Sequence, residues 1–316
     1  MRVAIKVGIF QSLFISTLIK KQAMRNSWAI LTIIVLAITV GGCDSKRVLN
    51  FDGDNALQLV EQQMSFGPRN PGSQGHEEVG EWIQHTLSMA GWEVEVQEFE
   101  YRGVELRNFI AKNRTQLSLA PILLGTHYDT RPRAERDIEN PAAHVPGAND
   151  GASGVAVLLE LARVIDPESL DFPVWLVFFD AEDSGDVEGW DWIVGSTYFV
   201  DQLQVIPQAV VIVDMVGDEK LELYYERNSD GPLQEQIWTI AKELGYTSFI
   251  NEPKFALIDD HTPFILAGIP AIDIIDFDYP YWHTTKDTLD KVSADSLEAV
   301  GRTLYTWLTS IPALQP

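Results

Sequence analysis

Carboxylate and imidazole side chains end or follow several short apolar runs in this sequence of 316 residues. The runs PILLGTH (121–127), PVWLVFF (173–179) and AVVIVD (209–214) are typical of strands buried on both faces of a parallel sheet. Because the carboxyl ends of such strands form the ligand crevice of an open α/β sheet, the ionisable residues there are expected to lie close together. These residues are His127, Asp129, Asp180, Glu182, Asp183 and Asp214, together with Asp150 in the glycine-rich turn GANDGASG.

This concentration of carboxylates predicts a bound divalent cation. Buried carboxylates that lie together repel one another and become protonated unless a cation holds them. The donors are carboxylates and imidazoles without a thiolate, which suits zinc in a catalytic site that keeps an open position. Magnesium suits an all-oxygen site and would leave His127 and His283 without a role.

Each of these residues also has an ordinary structural explanation. Asp150 precedes a predicted helix and could cap its N-terminus. Asp180 or Asp183 could belong to a turn after a strand. His283 lies in the aromatic stretch YPYWHTTKDT and could be a core residue rather than a ligand. The metal hypothesis therefore depends on all of these residues together.

The elements between these residues predict one α/β domain with a mixed, mostly parallel central sheet flanked by helices. The alternation in WEVEVQEFEYRGVELRNFIAK indicates a hairpin that turns at Arg102 and Gly103. The loop 131–149 has 19 residues and no periodicity, so it is either functional or disordered. The predicted helices are DNALQLVEQQMSFG, SQGHEEVGEWIQHTLSMAGW, ASGVAVLLELARVI, a segment around 234–244 and SADSLEAVGRTLYTWLTS. Besides the hairpin and the three apolar runs, the predicted strands are LELYYE and IPAIDIID.

The charge balance restricts the partners. The chain has 46 acidic and 23 basic residues, a formal net charge of −23, and therefore no basic patch with which to neutralise nucleic-acid phosphates. An acidic surface either attracts cationic substrates such as peptide amino termini or serves solubility alone. The oligomeric state is left open by the sequence.

The N-terminal segment has the features of an export signal. The apolar run WAILTIIVLAITV (28–40) is shorter than a bilayer-spanning helix, follows Arg25 and precedes two glycines and Cys43. Because VGGC resembles a bacterial lipobox, we expect a lipidated Cys43 at the mature N-terminus and a lipid-anchored location in a bacterial cell envelope. A plain membrane anchor or an unlipidated, cleaved signal are the alternatives. Met24 is an alternative start to Met1. The expected divisions are a signal segment 1–43, a linker 44–50 and a zinc-dependent catalytic domain 51–316.

Six motifs in order resemble the zinc-dependent aminopeptidase clan that also contains the glutaminyl cyclases. They are THYDT, GANDGASGVAVLLELAR, FFDAEDSG, VDMVGD, DDHTPF and WHTTKDT, and the resemblance runs from about Phe51 to the C-terminus. For a glutaminyl cyclase with one zinc, the resemblance implies the ligands Asp150, Asp183 and His283. For a two-zinc aminopeptidase, it adds His127 and Asp214, with Asp150 as the bridging ligand. The family usually has Glu-Glu where this chain has Glu182-Asp183, so the second ligand here is one methylene shorter.

Three features favour the cyclase. Asp259 in DDH matches a cyclase aspartate, Trp282 precedes the last ligand as in cyclases, and one tryptophan of GWDWIVGSTYF matches a pocket tryptophan, for which we favour Trp190 over Trp192. The resemblance then implies conversion of an N-terminal glutamine of peptides or proteins to pyroglutamate, with release of ammonia. The implied roles are Glu182 as the proton-transfer group, Asp214 and Asp259 as an acidic pair that shares a proton, and Trp282, Tyr279 and Trp190 as the pocket wall.

Two other functions remain open. In a two-zinc aminopeptidase, Glu182 would activate a metal-bridging water that attacks a peptide bond, and TTKDTLDKV is common in that group. A zinc-free binding or scaffold lipoprotein is the third possibility, and the complete ligand set together with Glu182 argues against it.

Overall fold

The computed structural model describes residues 50–113 and 119–311. Its helices are α1 (Gly53–Met64), α2 (Gln74–Met89), α3 (Ala152–Val164), α4 (Val194–Asp201), α5 (Gly231–Glu243), α6 (Thr262–Leu266) and α7 (Ala294–Ser310), with a 3₁₀ turn at Leu289–Lys291. Its strands are β1 (Glu93–Tyr101), β2 (Val104–Lys112), β3 (Ile122–His127), β4 (Val174–Phe179), β5 (Ala209–Asp214), β6 (Leu223–Tyr225), β7 (Phe249–Pro253) and β8 (Ala271–Ile275).

The central sheet has six strands in the order β1-β2-β4-β3-β5-β8. Strands β4, β3, β5 and β8 are parallel to one another, whereas the predicted hairpin β1-β2 is antiparallel, and β2 also pairs antiparallel with β4. The hairpin turns at Arg102 and Gly103, which have φ values of 52° and 79°. The predicted fold class, an α/β domain with a mixed and mostly parallel sheet, is confirmed.

Helix α3 packs directly on the parallel strands. All of its residues except Arg163 are buried, as expected for a helix that is apolar on every side. A Cβ atom at Gly154 would lie 2.3 Å from the carbonyl oxygen of Val213, so only glycine allows this close approach of helix to sheet. This contact holds the start of α3, and with it Asp150, against the carboxyl ends of the strands.

The structure differs from the prediction in its smaller elements. The predicted strand LELYYE is reduced to β6, which pairs with the unpredicted β7 in a separate two-stranded parallel sheet. The last three residues of strand β7 (FINEP) are all exposed and the final one is proline, so the sequence shows no alternation of apolar and polar residues there. Helix α4 (VGSTYFVD), also unpredicted, contains few strong helix formers, and it is stabilised by packing of Phe199 in the core.

Within residues 50–113 and 119–311, no helix is both long and apolar enough to cross a membrane. The expected signal segment and the lipidation site Cys43 lie outside the described residues, and so do the alternative starts Met1 and Met24.

Candidate metal centre and active site

Two groups of buried side chains lie at the carboxyl ends of the parallel strands, and they share Asp150. In each group, one ligand atom from every residue lies within 4.8 Å of the others. The structure therefore brings together the five residues that the sequence predicted as zinc ligands. They form the His127 group (His127, Asp150 and Asp214) and the His283 group (Asp150, Asp183 and His283).

The carboxylate of Asp150 lies between the two imidazoles. Its Oδ1 is 3.3 Å from His127 Nε2 and its Oδ2 is 3.8 Å from His283 Nε2. His283 Nε2 is also 3.0 Å from Asp183 Oδ1, and His127 Nε2 is 3.0 Å from Asp214 Oδ1. In the described part of the chain, the buried Oδ2 atoms of Asp150 and Asp183 have no hydrogen-bond donor. Buried carboxylate oxygens without donors, next to an imidazole, fit a zinc ion.

Asp287 positions Asp150 through the backbone. Its carboxylate accepts hydrogen bonds from the amides of Asn149 (2.8 Å) and Asp150 (3.1 Å). The position before α3 is Gly151, and no side chain caps this helix, so Asp150 is free of the capping role considered from the sequence. Asp287 lies in the motif WHTTKDT, and the motif was therefore the available signal for its importance.

Tyr279 supports Asp287 and does not line the pocket. The Tyr279 hydroxyl donates a 2.7 Å hydrogen bond to Asp287 Oδ1, and the residue is 3% exposed. This corrects the sequence-based role of Tyr279 as a pocket wall. The reason is that Tyr279 is buried behind residues that line the cavity, with its hydroxyl held by Asp287, whereas Trp282 reaches the cavity.

Asp129 holds the acidic segment after β4 in place. Its carboxylate accepts hydrogen bonds from the backbone amides of Glu182 (3.0 Å) and Asp183 (3.2 Å). The Oδ1 atom of Asp129 also lies 3.3 Å from His127 Nδ1. Asp129 thus fixes the tautomer and orientation of one imidazole and positions two neighbouring carboxylates.

The loop 131–149 forms part of the support of His283. Glu135 Oε1 is 2.7 Å from His283 Nδ1, and the amide of Arg136 donates to the His283 carbonyl (3.2 Å). Arg131 donates to the carbonyl oxygens of Asp183 (3.1 Å) and Gly185 (2.8 Å). These contacts favour a functional loop over a disordered one. Sequence reasoning missed Glu135, because one acid in an aperiodic loop carries no signal for a partner 148 positions away.

The electrostatics around Glu182 suit proton transfer. Burial raises the pKa of Glu182 well above its usual range, and repulsion from Asp259 raises it further. Burial also raises the pKa of Asp214 to about 7, partly opposed by its attraction to His127. Asp259 is itself buried, which raises its pKa. Glu182 is therefore a carboxyl group with a raised pKa, as proton transfer requires, beside the ligands and outside both ligand groups.

A cavity of about 350 Å³ opens over these carboxylates. Its polar lining comes from both ligand groups and from Glu182 and Asp259, while the rest of the wall is largely apolar. The apolar lining residues are Trp192, Met215, Ala256, Leu257, Ile258, Ile275, Phe277 and Trp282. An acidic floor under an apolar wall can admit one small side chain and shield it from water.

The pocket tryptophan is Trp192, and Trp190 lies outside the cavity. Trp190 packs on Tyr101 with ring centroids 5.2 Å apart and belongs to a small apolar cluster under the β1-β2 hairpin. Trp192 is held by its indole N–H, which donates to Asp186 (3.2 Å), and by the Arg131 guanidinium 4.5 Å from its ring centroid. The sequence-based preference for Trp190 is therefore corrected. Sequence patterns could not separate two tryptophans in one irregular loop.

Comparison with known proteins agrees with this geometry. Residues 108–308 match the sequence profile of Peptidase family M28. The aminopeptidase YwaD of Bacillus subtilis is 30% identical over 196 residues, which cover 57% of this chain and 38% of that protein, so this chain spans well under half of its length. The glutaminyl-peptide cyclotransferase-like protein of Bos taurus is 24% identical over 285 residues, covering 76% of this chain and 71% of that protein. The crystal structure of Porphyromonas gingivalis glutaminyl cyclase superposes with a TM-score of 0.77 and 35% identity, covering 83% of this chain and 99% of that chain.

The region matched by the family profile contains strands β3, β4, β5 and β8 of the central sheet and both ligand groups. The chain belongs to peptidase family M28. Its fold is that of the zinc exopeptidase-like glutaminyl cyclases.

Proposed function

We propose that the protein is a zinc-dependent glutaminyl-peptide cyclotransferase, which converts N-terminal glutamine of peptides or proteins to pyroglutamate and releases ammonia. The observation that carries the proposal is the small cavity in which Trp192 and Trp282 enclose Glu182 beside the His283 group. Its volume, about 350 Å³, is at the lower end of ligand pockets and suits a single terminal residue better than an extended peptide. The similarity to glutaminyl cyclases over most of their length supports the same reaction.

In this proposal, the His283 group holds one zinc ion. Zinc, when bound, supplies Lewis-acid polarisation of the γ-carboxamide oxygen. A catalytic zinc site needs an open position that substrate can reach. The His283 group meets this requirement, because Asp150 and Asp183 line the cavity.

Glu182 moves the proton. The α-amine nitrogen of the substrate bonds to the carboxamide carbon, and the bond from that carbon to the side-chain nitrogen breaks. Glu182 accepts a proton from the attacking amine and donates it to the departing nitrogen, which leaves as ammonia. A carboxyl group whose pKa is raised by burial and by Asp259 is suited to both steps. Asp214 and Asp259 are proposed to share a proton and so to steady Glu182 and the substrate amine.

The apolar wall favours cyclisation over hydrolysis. Attack by the substrate's own amine competes with attack by water, and an apolar wall around the bound side chain would reduce the access of water to the carboxamide carbon. Phe277 packs on Trp282 with ring centroids 4.7 Å apart. Arg136, on the loop 131–149, places its guanidinium 3.9 Å from the Trp282 ring centroid. These contacts hold Trp282 as a rigid wall beside the reacting atoms.

A two-zinc aminopeptidase is the second candidate. The observation that favours it is the complete His127 group, which could hold a second ion with Asp150 as the bridge. Glu182 would then activate a bridging water.

Turnover on two substrates tests the choice. A glutaminyl peptide should give ammonia and a pyroglutamyl product by mass spectrometry, whereas a leucyl amide should remain intact. Release of leucine, with no pyroglutamyl product, would overturn the cyclase proposal in favour of the aminopeptidase. The Glu182→Gln variant assayed on both substrates controls for contaminating enzymes, because either activity of this site should disappear with it.

We also propose that the protein is exported and anchored in the cell envelope by a lipid on Cys43. The lipobox-like VGGC and the preceding apolar run support this location. Mass spectrometry of the mature N-terminus tests it: a chain that begins at lipidated Cys43 is expected, and an intact segment before Cys43 would contradict cleavage there.

A further inference from the structure

A third carboxylate–imidazole group lies next to the cavity, and two of its three members, His261 and Asp273, take no part in the proposed reaction. It consists of Asp259, His261 and Asp273, called the His261 group below, and one ligand atom from each lies within 4.8 Å of the others. Asp259 and His261 directly precede α6, and Asp273 lies in the middle of β8. His261 and Asp273 are fully buried, and Asp259 is 7% exposed at the edge of the cavity.

Three buried polar atoms of this group lack hydrogen-bond partners. Within the described residues, His261 Nδ1 and both carboxylate oxygens of Asp273 make no hydrogen bond, whereas His261 Nε2 has an ion-pair contact with Glu226. Buried polar groups in folded proteins are nearly always paired, so this concentration of unpaired atoms in one place indicates a bound species.

The orientation of His261 indicates what that species is. Its Nδ1 faces Asp273 Oδ2 at 3.8 Å, a separation too long for a hydrogen bond. Its Nε2 faces Glu226 Oε2 at 3.3 Å. Metal-bound histidines typically present one nitrogen to the ion and the other to a carboxylate, and His261 is placed in this way between Asp273 and Glu226.

Hydrogen bonds from the surrounding chain hold the carboxylate of Glu226 in place. Its oxygens accept hydrogen bonds from the amides of Asn228 (2.9 Å), Ser229 (2.7 Å) and Leu257 (2.8 Å), and from the Ser229 hydroxyl (2.8 Å). With its oxygens engaged in this way, Glu226 is suited to orient His261 and not to bind the ion itself.

The charges leave a deficit that a cation would fill. Asp273 is repelled by Asp259, Asp214, Glu226 and Asp260, and it faces the imidazole of His261, which can carry positive charge. Two outcomes can neutralise such a site: protons on the carboxyl groups or a bound cation. A proton between His261 Nδ1 and Asp273 cannot form a hydrogen bond at 3.8 Å, whereas a cation among three converging ligands engages this nitrogen and the carboxylates.

We propose that the His261 group binds a divalent cation of the zinc type, separate from the active-site ion. One imidazole and two carboxylates suit zinc or a similar transition metal better than calcium or magnesium. Because the site is enclosed, the ion is acquired during folding and stabilises the segment 256–259 that walls the cavity.

Location of the metal in the wild-type chain is the decisive test. Crystals of the full-length protein grown with zinc alone are measured on both sides of the zinc absorption edge. An anomalous peak between His261 and Asp273 is expected, in addition to a peak at the His283 group. If the first peak is missing while the second is present, the proposal is overturned, and shared protons explain the group.

Metal content of variants gives the second measurement. Asp273→Asn should lose one zinc per chain by elemental analysis, Asp183→Asn should lose the active-site zinc, and the double variant should lose both. Asp276→Asn is the matched control, because Asp276 is equally buried nearby but accepts hydrogen bonds from the amides of Glu222 (3.0 Å) and Asp278 (3.1 Å). Unchanged zinc in Asp273→Asn would also overturn the proposal.

These measurements are independent of the proposed reaction. A failure of the cyclase proposal appears as absence of the pyroglutamyl product, whereas a failure of this inference appears as a missing peak. The inference also means that two zinc ions per chain do not by themselves indicate an aminopeptidase, because the second ion can occupy the His261 group.

Discussion

The His283 group and the His261 group contain the same residue types, two aspartates and a histidine, and both are buried. The first opens onto the cavity and has Glu182 beside it as an acid that no ligand group uses. In the second, only Asp259 reaches the cavity, and no substrate can reach the fully buried His261 and Asp273. The comparison teaches that ligand type predicts metal binding, whereas an open face and a neighbouring free acid make a metal site catalytic.

The largest effect is expected for the acid that distinguishes the two groups. Glu182→Gln should lower kcat for glutaminyl peptides by about 10²- to 10⁴-fold, because the amide cannot transfer the proton. Zinc content should be unchanged, since Glu182 lies outside the His283 group. Steady-state kinetics and elemental analysis measure both, with exposed Glu81→Gln as the control. Loss of zinc would mean that Glu182 is the ligand and Asp183 the acid.

The second prediction concerns the carboxylates that orient the two histidines. Glu135, whose side chain is 41% exposed, faces His283, whereas Glu226 is buried behind His261. Glu135→Gln should weaken zinc affinity about 10- to 100-fold, and saturating zinc should restore turnover. Competition with a chelator of known affinity measures the change. Exposed Glu139→Gln on the same loop is the matched control, and equal affinities for the two variants would exclude a supporting role for Glu135.

The third prediction separates the cavity wall from ordinary packing. Trp192→Ala should lower kcat/KM about 10-fold through loss of the apolar wall beside the His283 group. Trp190→Ala should leave KM unchanged and lower the melting temperature, because Trp190 packs under the hairpin. Kinetics and thermal unfolding of both variants are compared. A larger decrease in kcat/KM for Trp190→Ala than for Trp192→Ala would indicate that Trp190 lines the substrate pocket.

The smallest effect is expected at Tyr279. Tyr279→Phe removes the hydroxyl that donates to Asp287 and should lower the free energy of unfolding by about 1 kcal/mol. KM should change little, since Tyr279 does not line the cavity. Denaturant unfolding and kinetics measure the two quantities, with Tyr305→Phe on α7 as the control. A large rise in KM with normal stability would contradict the supporting role.

Much of the site could be predicted because it lies at strand ends. The runs before His127, Glu182 and Asp214 were apolar enough to be read as buried parallel strands, and parallel strands bring their carboxyl ends to one edge. The fold class followed from the same alternation of strands and helices. The choice between Trp190 and Trp192 could not be made in this way. Their directions depend on contacts with Tyr101 and Arg131, which are distant in sequence.

The sequence by itself determined the residue types at the strand ends, the helix α3 that follows Asp150, and hence a metal centre in an α/β fold. Only the tertiary structure decided which residues support that centre. Asp287 binds the Asp150 amide across 137 positions, and Glu135 reaches His283 across 148. It also decided that Asp273, within a predicted strand, faces His261. The physical reason is that strand and helix periodicities are local, with repeats of about 2 and 3.6 residues, whereas contacts between distant loops leave no period in the sequence.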